Sequence, residues 1–183
     1  MKNFLTHLLL TILLVIAGLL ILVLLLALVG KKEYSLSRSI RINRPVATVY
    51  DYLRFLKNQD EFNVWTMMDP QMKKTYTGTD GQVGFIYAWD GNKQAGAGEQ
   101  EIIALTANEE VAIDVRFKRP FPGLIHTPLR TEKINDDQTQ VTWSMKSRMA
   151  FPRNIFLYFI NMDKVLGKEL EKSLGRLKGK MES

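Results

Sequence analysis

The sequence predicts an α+β domain, a curved antiparallel sheet of about seven strands closed by a long C-terminal helix, behind one N-terminal transmembrane helix. Three observations carry this. Leu8 to Val29 is apolar apart from Thr11 and Gly18. Residues 33 to 149 read mostly as alternating strands punctuated by Gly, Asn, Asp and Pro. An apolar stripe at helical spacing then ends the chain.

The apolar run comes first. About 22 residues at about 1.5 Å each make a helix of about 33 Å, enough to cross a hydrocarbon core of about 30 Å. A signal peptide has a shorter core and a small-x-small exit. Here Ala27 and Gly30 are preceded two residues earlier by Leu25 and Leu28, so a retained single-pass anchor over residues 1–30 is expected. Gly18 has no small residue four positions away, so no close-packing dimer motif is present. Lys2 alone precedes the run, whereas Lys31, Lys32, Arg38, Arg41 and Arg44 follow it, which places the domain on the cytoplasmic side. Only Gly30 to Glu33 separate the anchor from the first strand, so the domain works within reach of the headgroups.

Residues 31–183 fit one domain that can bury a core unaided. In Glu33–Asn43, Leu36, Arg38, Ile40 and Ile42 share a face, and Asn43-Arg44-Pro45 ends the strand. Val46, Val49, Tyr50, Leu53 and Leu56 recur at helical spacing and give a short helix, with Pro45 in its first turn. Residues 58–71 read as irregular. Strands follow at 72–77, 83–89, 98–106 and 111–118, then one at 124–134 in which Pro128 argues for an edge or a bulge, and a last one at 138–149. A single helix is expected from about Pro152 to Lys180, striped by Ile155, Phe159, Leu166, Leu170, Leu174 and Leu177.

A sheet wrapped on a long helix leaves room between the two. The predicted lining is Phe85, Tyr87, Trp89, Val115, Phe117, Trp143 and Met145, facing Phe156, Phe159, Met162 and Leu166. Any one of these side chains fits an ordinary core. Together, so many aromatics and methionines on one concave face read as an apolar ligand site.

At this point the sequence resembles the START/Bet v 1-like helix-grip superfamily, and within it the bacterial polyketide cyclase/dehydratase-type SRPBCC proteins. The resemblance rests on four segments. They are Arg38 to Pro45 with Val49-Tyr50-Asp51-Tyr52; Tyr76-Thr77-Gly78 with Gly84 and Trp89-Asp90-Gly91-Asn92; Gln138 to Met145; and Met162 to Leu174. The family's paired tryptophans after the first helix are represented here by Phe62 and Trp65, and the resemblance implies that Trp65 joins the wall of the cavity. The resemblance implies a seven-stranded sheet gripping the last helix around a hydrophobic cavity, and a membrane-anchored subgroup is similar even in its leading helix. Members bind lipids, sterols, quinones or polyketides, and others serve as chaperone cofactors, so the resemblance implies no particular reaction.

Composition narrows the chemistry. There is no cysteine, and the domain holds one histidine, so a zinc site with three protein ligands is not expected, nor is any cofactor. Without Lys2 the domain keeps a charge one unit below the +6 of the whole chain, a basic excess suited to anionic lipid. No zinc finger, RNA-binding signature or dense basic helix appears, so no nucleic-acid partner is expected. Lys31, Lys32, Lys164, Lys168, Lys172 and Arg176 are the candidates for a membrane-facing basic surface; the last four also fit an ordinary solvated helix face. Acid/base work would fall to Asp163 or His126. Asp163 lies within the apolar stripe and is either a cavity carboxylate or the cap of a broken helix. His126 is either a cavity base or an edge residue. Asp114 and Glu99 fall on outward faces. The expected function is a noncatalytic, membrane-anchored protein binding a hydrophobic small molecule. A cyclase/dehydratase-like enzyme and a chaperone-cofactor-like module are the alternatives.

Overall fold

The computed structural model describes residues 2–183, which divide into two compact units. One holds the chain up to Glu33 together with Met149–Asn161; the other holds Tyr34–Arg148 and Met162–Ser183.

In the first unit, α1 spans Lys2–Val29. Its Asn3–Val29 stretch is long and apolar enough to cross a membrane, and nearly all of it is uncovered by protein. Ala27 is the exception: it is fully buried, and its carbonyl accepts a 2.6 Å hydrogen bond from Asn154 Nδ2. This meets one of the carbonyls that a helix end leaves without an intrahelical partner. Met149 N donates to Lys32 O at 2.7 Å, and Tyr158 lies against Gly30. Phe151, Phe156, Tyr158, Phe159 and Ile160 are exposed.

The second unit is an antiparallel sheet with helices on its inner face. Its strands are β1 (Glu33–Ile42), β2 (Lys73–Thr77), β3 (Ile86–Asp90), β4 (Ala97–Thr106), β5 (Glu110–Arg119), β6 (Gly123–His126), β7 (Leu129–Asn135) and β8 (Gln138–Arg148). The order is β1-β8-β6-β5-β4-β3-β2, with β7 paired to β5 and β8. Strands β6 and β7 thus share one position in the sheet. The eighth strand arises because the predicted 124–134 strand breaks at Thr127-Pro128, where proline has no N–H to give the ladder. Bulges between Ala97/Gly98 and Ile102/Ala104 bend β4.

The helices are α2 (Val46–Leu53), α3 (Gln59–Phe62) and α4 (Met162–Glu182). Val49, Tyr50 and Leu53 of α2, Phe62 of α3, and Leu170, Leu174, Leu177 and Met181 of α4 join Ile42, Ile113, Val141 and Trp143 of the sheet in one core.

The single long helix expected over 152–180 is two elements. Arg153–Tyr158 forms a 3-10 helix, and α4 starts only at Met162. Asn154 bonds to the end of α1 and Tyr158 lies against Gly30 just beyond it. The stretch read as irregular also contains structure: a 3-10 turn at Leu56–Asn58 running into α3.

Candidate functional site

Between the inner face of the sheet, the residues 59–72 and the start of α4 lies a cavity of about 300 Å³. Strand alternation builds its wall. On β5, Val115 and Phe117 point in while Asp114, Arg116 and Lys118 point out; on β3, Tyr87 and Trp89 point in. Trp143 of β8 stands at the centre, 2% exposed. Its Nε1 donates to Thr127 Oγ1 at 2.7 Å, and Phe62 and Trp65 pack edge-on to it at 6.0 and 6.1 Å. Trp89 meets Phe117 edge-on at 5.7 Å, and its Nε1 donates to Ala95 O at 3.1 Å. Gly98 matters here, because a Cβ at that position would collide with the Trp89 ring at 2.6 Å.

Tyr87 carries the hydroxyl at one end of this wall, donating to Asp60 Oδ1 at 2.6 Å; Lys74 holds the other oxygen of Asp60 at 2.8 Å. Burial first, then the Asp60 carboxylate, pushes the phenol well above the usual tyrosine range. It stays a neutral donor at any physiological pH.

Of the predicted lining, Trp65, Tyr87, Trp89, Val115, Phe117, Trp143, Met145 and Leu166 line the cavity. Four residues are placed elsewhere. Phe85 is sealed in the core and stacks near Tyr76. Phe156 and Phe159 are 52% and 81% exposed, because the helix that was to carry them inward is broken. Met162 is half-buried at the start of α4, outside the lining.

Asp163 also lies outside the cavity. Its two carboxylate oxygens take hydrogen bonds from Arg38 Nη1 and Nη2 at 2.9 and 3.1 Å, while Arg38 Nε reaches Glu171 at 2.5 Å. Gly167 permits this, since a Cβ there would meet the guanidinium that spans from Asp163 to Glu171. Hydrogen bonding to Arg38 holds the Asp163 carboxyl below its usual range. His126 faces outward too, between the lining residues Ile125 and Thr127. Its Nδ1 lies 2.6 Å from Asp114 Oδ1. Asp114, expected in solvent, is buried at this pair, because the cross-strand histidine covers it.

The basic residues of α4 are partly neutralised. Lys172 pairs with Glu169 at 2.8 Å, Lys180 with Glu61, and Arg176 rests on the Met67 sulfur. Lys168 is exposed on the same helix, as is Lys164. In the first unit Lys31 is exposed and Lys32 half-buried. Among the described residues no group of His, Cys, Asp and Glu could hold a metal ion.

Sequence reasoning missed the polar groups of the cavity: Gln59, Asn63, Thr66, Gln100 and Thr127. One signal was available. Gln100 sits between Gly98 and Ile102 on the inward register of β4, a polar side chain on an apolar face.

Solved structures share this architecture. The Mll3558 protein from Rhizobium loti matches with a TM-score of 0.60 at 10% identity, over 80% of this chain and 96% of that one. Norcoclaurine synthase from Thalictrum flavum, solved with dopamine and hydroxybenzaldehyde, matches with 0.59 at 9% identity, over 82% and 89%. Major latex-like protein 151 from Panax ginseng matches with 0.58 at 13% identity, over 82% and 99%. At such identities the likeness is one of fold. No curated protein matches the sequence. Residues 33–182, nearly the whole of the chain after the apolar helix, match the family described as polyketide cyclase / dehydrase and lipid transport, and the chain belongs to that family.

Proposed function

We propose that this protein is a membrane-anchored binding protein whose cavity takes a hydrophobic small molecule, a lipid, quinone or similar compound drawn from the bilayer. The observation that carries the reading is the cavity itself: about 300 Å³, walled by Trp65, Trp89, Phe117 and Trp143, with methionines 68, 72 and 145 in the same lining. That size and chemistry match small-molecule sites, and methionine adapts to ligands of varied shape. The family's description includes lipid transport, in keeping with this reading. The anchor supports a membrane source, since three residues separate α1 from β1.

Mass spectrometry of organic extracts from the full chain, purified in mild detergent, tests the binding. One apolar compound in stoichiometric amount, distinct from bulk phospholipid, is expected. Protein that is empty after every preparation, with the Trp side chains collapsed together in a crystal structure, would remove the reading. Lys31 and Lys32 after the span favour a cytoplasmic domain. Protease should therefore cut it in inverted vesicles and spare it in intact cells; the reverse pattern would turn the topology around.

A further inference from the structure

Two buried carboxamides in the cavity wall keep hydrogen-bonding capacity that no described residue uses. Gln100 is 6% exposed, lines the cavity, and its side chain makes no hydrogen bond among the described residues. Gln59 is 1% exposed; its Oε1 accepts from Asn63 Nδ2 at 2.7 Å, which leaves its own Nε2 donors uncommitted. The polar neighbours differ. Asn63 Oδ1 is taken by Trp65 N, Thr127 Oγ1 by Trp143 Nε1, and the Thr66 hydroxyl donates to the Gln59 and Asn63 carbonyls.

The free groups are not sealed in protein. Among the described residues, sealed side-chain polar atoms without a partner belong to Tyr52, Thr131 and Asn154 alone. The unused atoms of Gln59 and Gln100 therefore open onto the cavity they line. The register brings the two toward one wall. Gln100 sits opposite Tyr87, whose hydroxyl reaches Asp60, the neighbour of Gln59. Buried polar groups are almost always satisfied, so this pair calls for a partner that enters from outside the chain.

Charge narrows the partner further. Arg119 is the only charged residue in the lining, and it is tied to Asp90. An ionised head drawn into the wall would lose its hydration with no counter-charge to replace it.

We infer that the ligand carries a neutral hydrogen-bonding head, a carbonyl or a hydroxyl on an apolar body, and that Gln100, seconded by Gln59, is the residue that recognises it. This rests on the reading of the cavity as a hydrophobic-ligand site and narrows its ligand class. A carboxamide suits either head: its N–H groups donate to a carbonyl, and its oxygen accepts from a hydroxyl.

The test uses the full chain in phosphatidylcholine nanodiscs and three probes of one ring skeleton: tetralin, 2-tetralone and 2-tetralol. All three tryptophans of the chain line the cavity, so intrinsic fluorescence reports occupancy. Each affinity is corrected for the probe's water–hydrocarbon partition. The ketone and alcohol should bind about tenfold tighter than tetralin on that scale, the worth of one net hydrogen bond. Gln100→Leu should abolish the difference and leave tetralin unchanged. Gln100→Met, which keeps the length of the side chain, should do the same. Equal corrected affinities for the three probes, or a variant that weakens them alike, would overturn the inference and leave the cavity as a site. Absence of binding by all three would bring down the cavity reading with it.

Discussion

The two faces of the same strands handle polar groups in opposite ways. On the outer face of β4 and β5, opposite charges pair diagonally across the ladder. Lys118 donates to Glu99 at 2.7 Å, Arg116 to Glu101 at 2.6 Å, and Asp114 is covered by His126. Glu101 faces Asp114 across the ladder, and Arg116 alongside offsets that like-charge pair. One residue away, on the inner face, the Gln100 side chain has no hydrogen-bond partner among the described residues and lies opposite Val115 and Tyr87. The outer face therefore holds ionisable groups paired across the sheet, and the inner face holds neutral groups that line the cavity. Counting charges would have drawn attention to the wrong side. The candidate acid/base residues Asp163 and His126 are themselves bound up in outward pairs, with Arg38 and Asp114.

This contrast can be broken in order of expected effect. Trp143→Ala strikes the centre of the inner face and should cost about 3–5 kcal/mol in denaturant unfolding, the range for a buried aromatic lost from a packed core. A cost under about 1 kcal/mol would mean that the inner face is not a packed wall. Tyr87→Phe keeps the ring and removes the 2.6 Å bond to Asp60. It should cost about 2 kcal/mol, as hydrogen bonds to charged groups do, and no measurable loss would detach the wall from α3.

On the outer face the effects shrink. His126→Ala uncovers Asp114 and should cost about 1 kcal/mol without altering the affinity of a cavity probe; a change in ligand affinity would contradict the separation of the faces. Glu101→Gln should cost less than about 1 kcal/mol, as part-exposed ion pairs do, and less still in high salt. The smallest effect is confined to acid. Asp163 is held below the usual value of about 3.8 by Arg38. A carboxyl depressed on folding stabilises above its unfolded pKa, and that contribution is lost as pH falls through the folded value. Asp163→Asn should therefore unfold more easily than the parent near neutral pH and match it only in acid well below the usual carboxylate range. A gap that persists in strong acid would assign the effect to something other than ionisation.

Much of the fold was legible along the chain. The alternation of Val111, Ile113, Val115 and Phe117 fixed both the strand and the side it buries, because a period of two leaves each residue one choice of face. Pro128 marked an irregularity in the 124–134 strand through its missing N–H, and the structure makes it a full break between β6 and β7. The helical stripe placed Leu170, Leu174 and Leu177 in the core. The site was legible to the extent that it is apolar: seven residues of its lining follow from pattern alone, and Trp65 from the family resemblance. Four did not land there, and Phe156 and Phe159 show why. Periodicity sees only neighbours in sequence, so it extended the helix upstream through Asn154, whose decisive contact is the carbonyl of Ala27, far away along the chain.

The same limit governs the polar residues. The amino-acid sequence by itself determined the apolar helix, the order of strands and helices, and which face of each strand is greasy. These depend on spacing within a few residues, and spacing is what a sequence displays. Only the tertiary structure decided which polar side chains are satisfied. Asp163 falls on the apolar stripe in both readings, but Arg38, 125 positions away, turns it into an outward ion pair. Gln100 lies on an apolar face in both, and whether it has a partner depends on every strand and helix around it. Satisfaction of a buried group is a property of its three-dimensional neighbours, and for Gln100 the chain supplies none among the described residues.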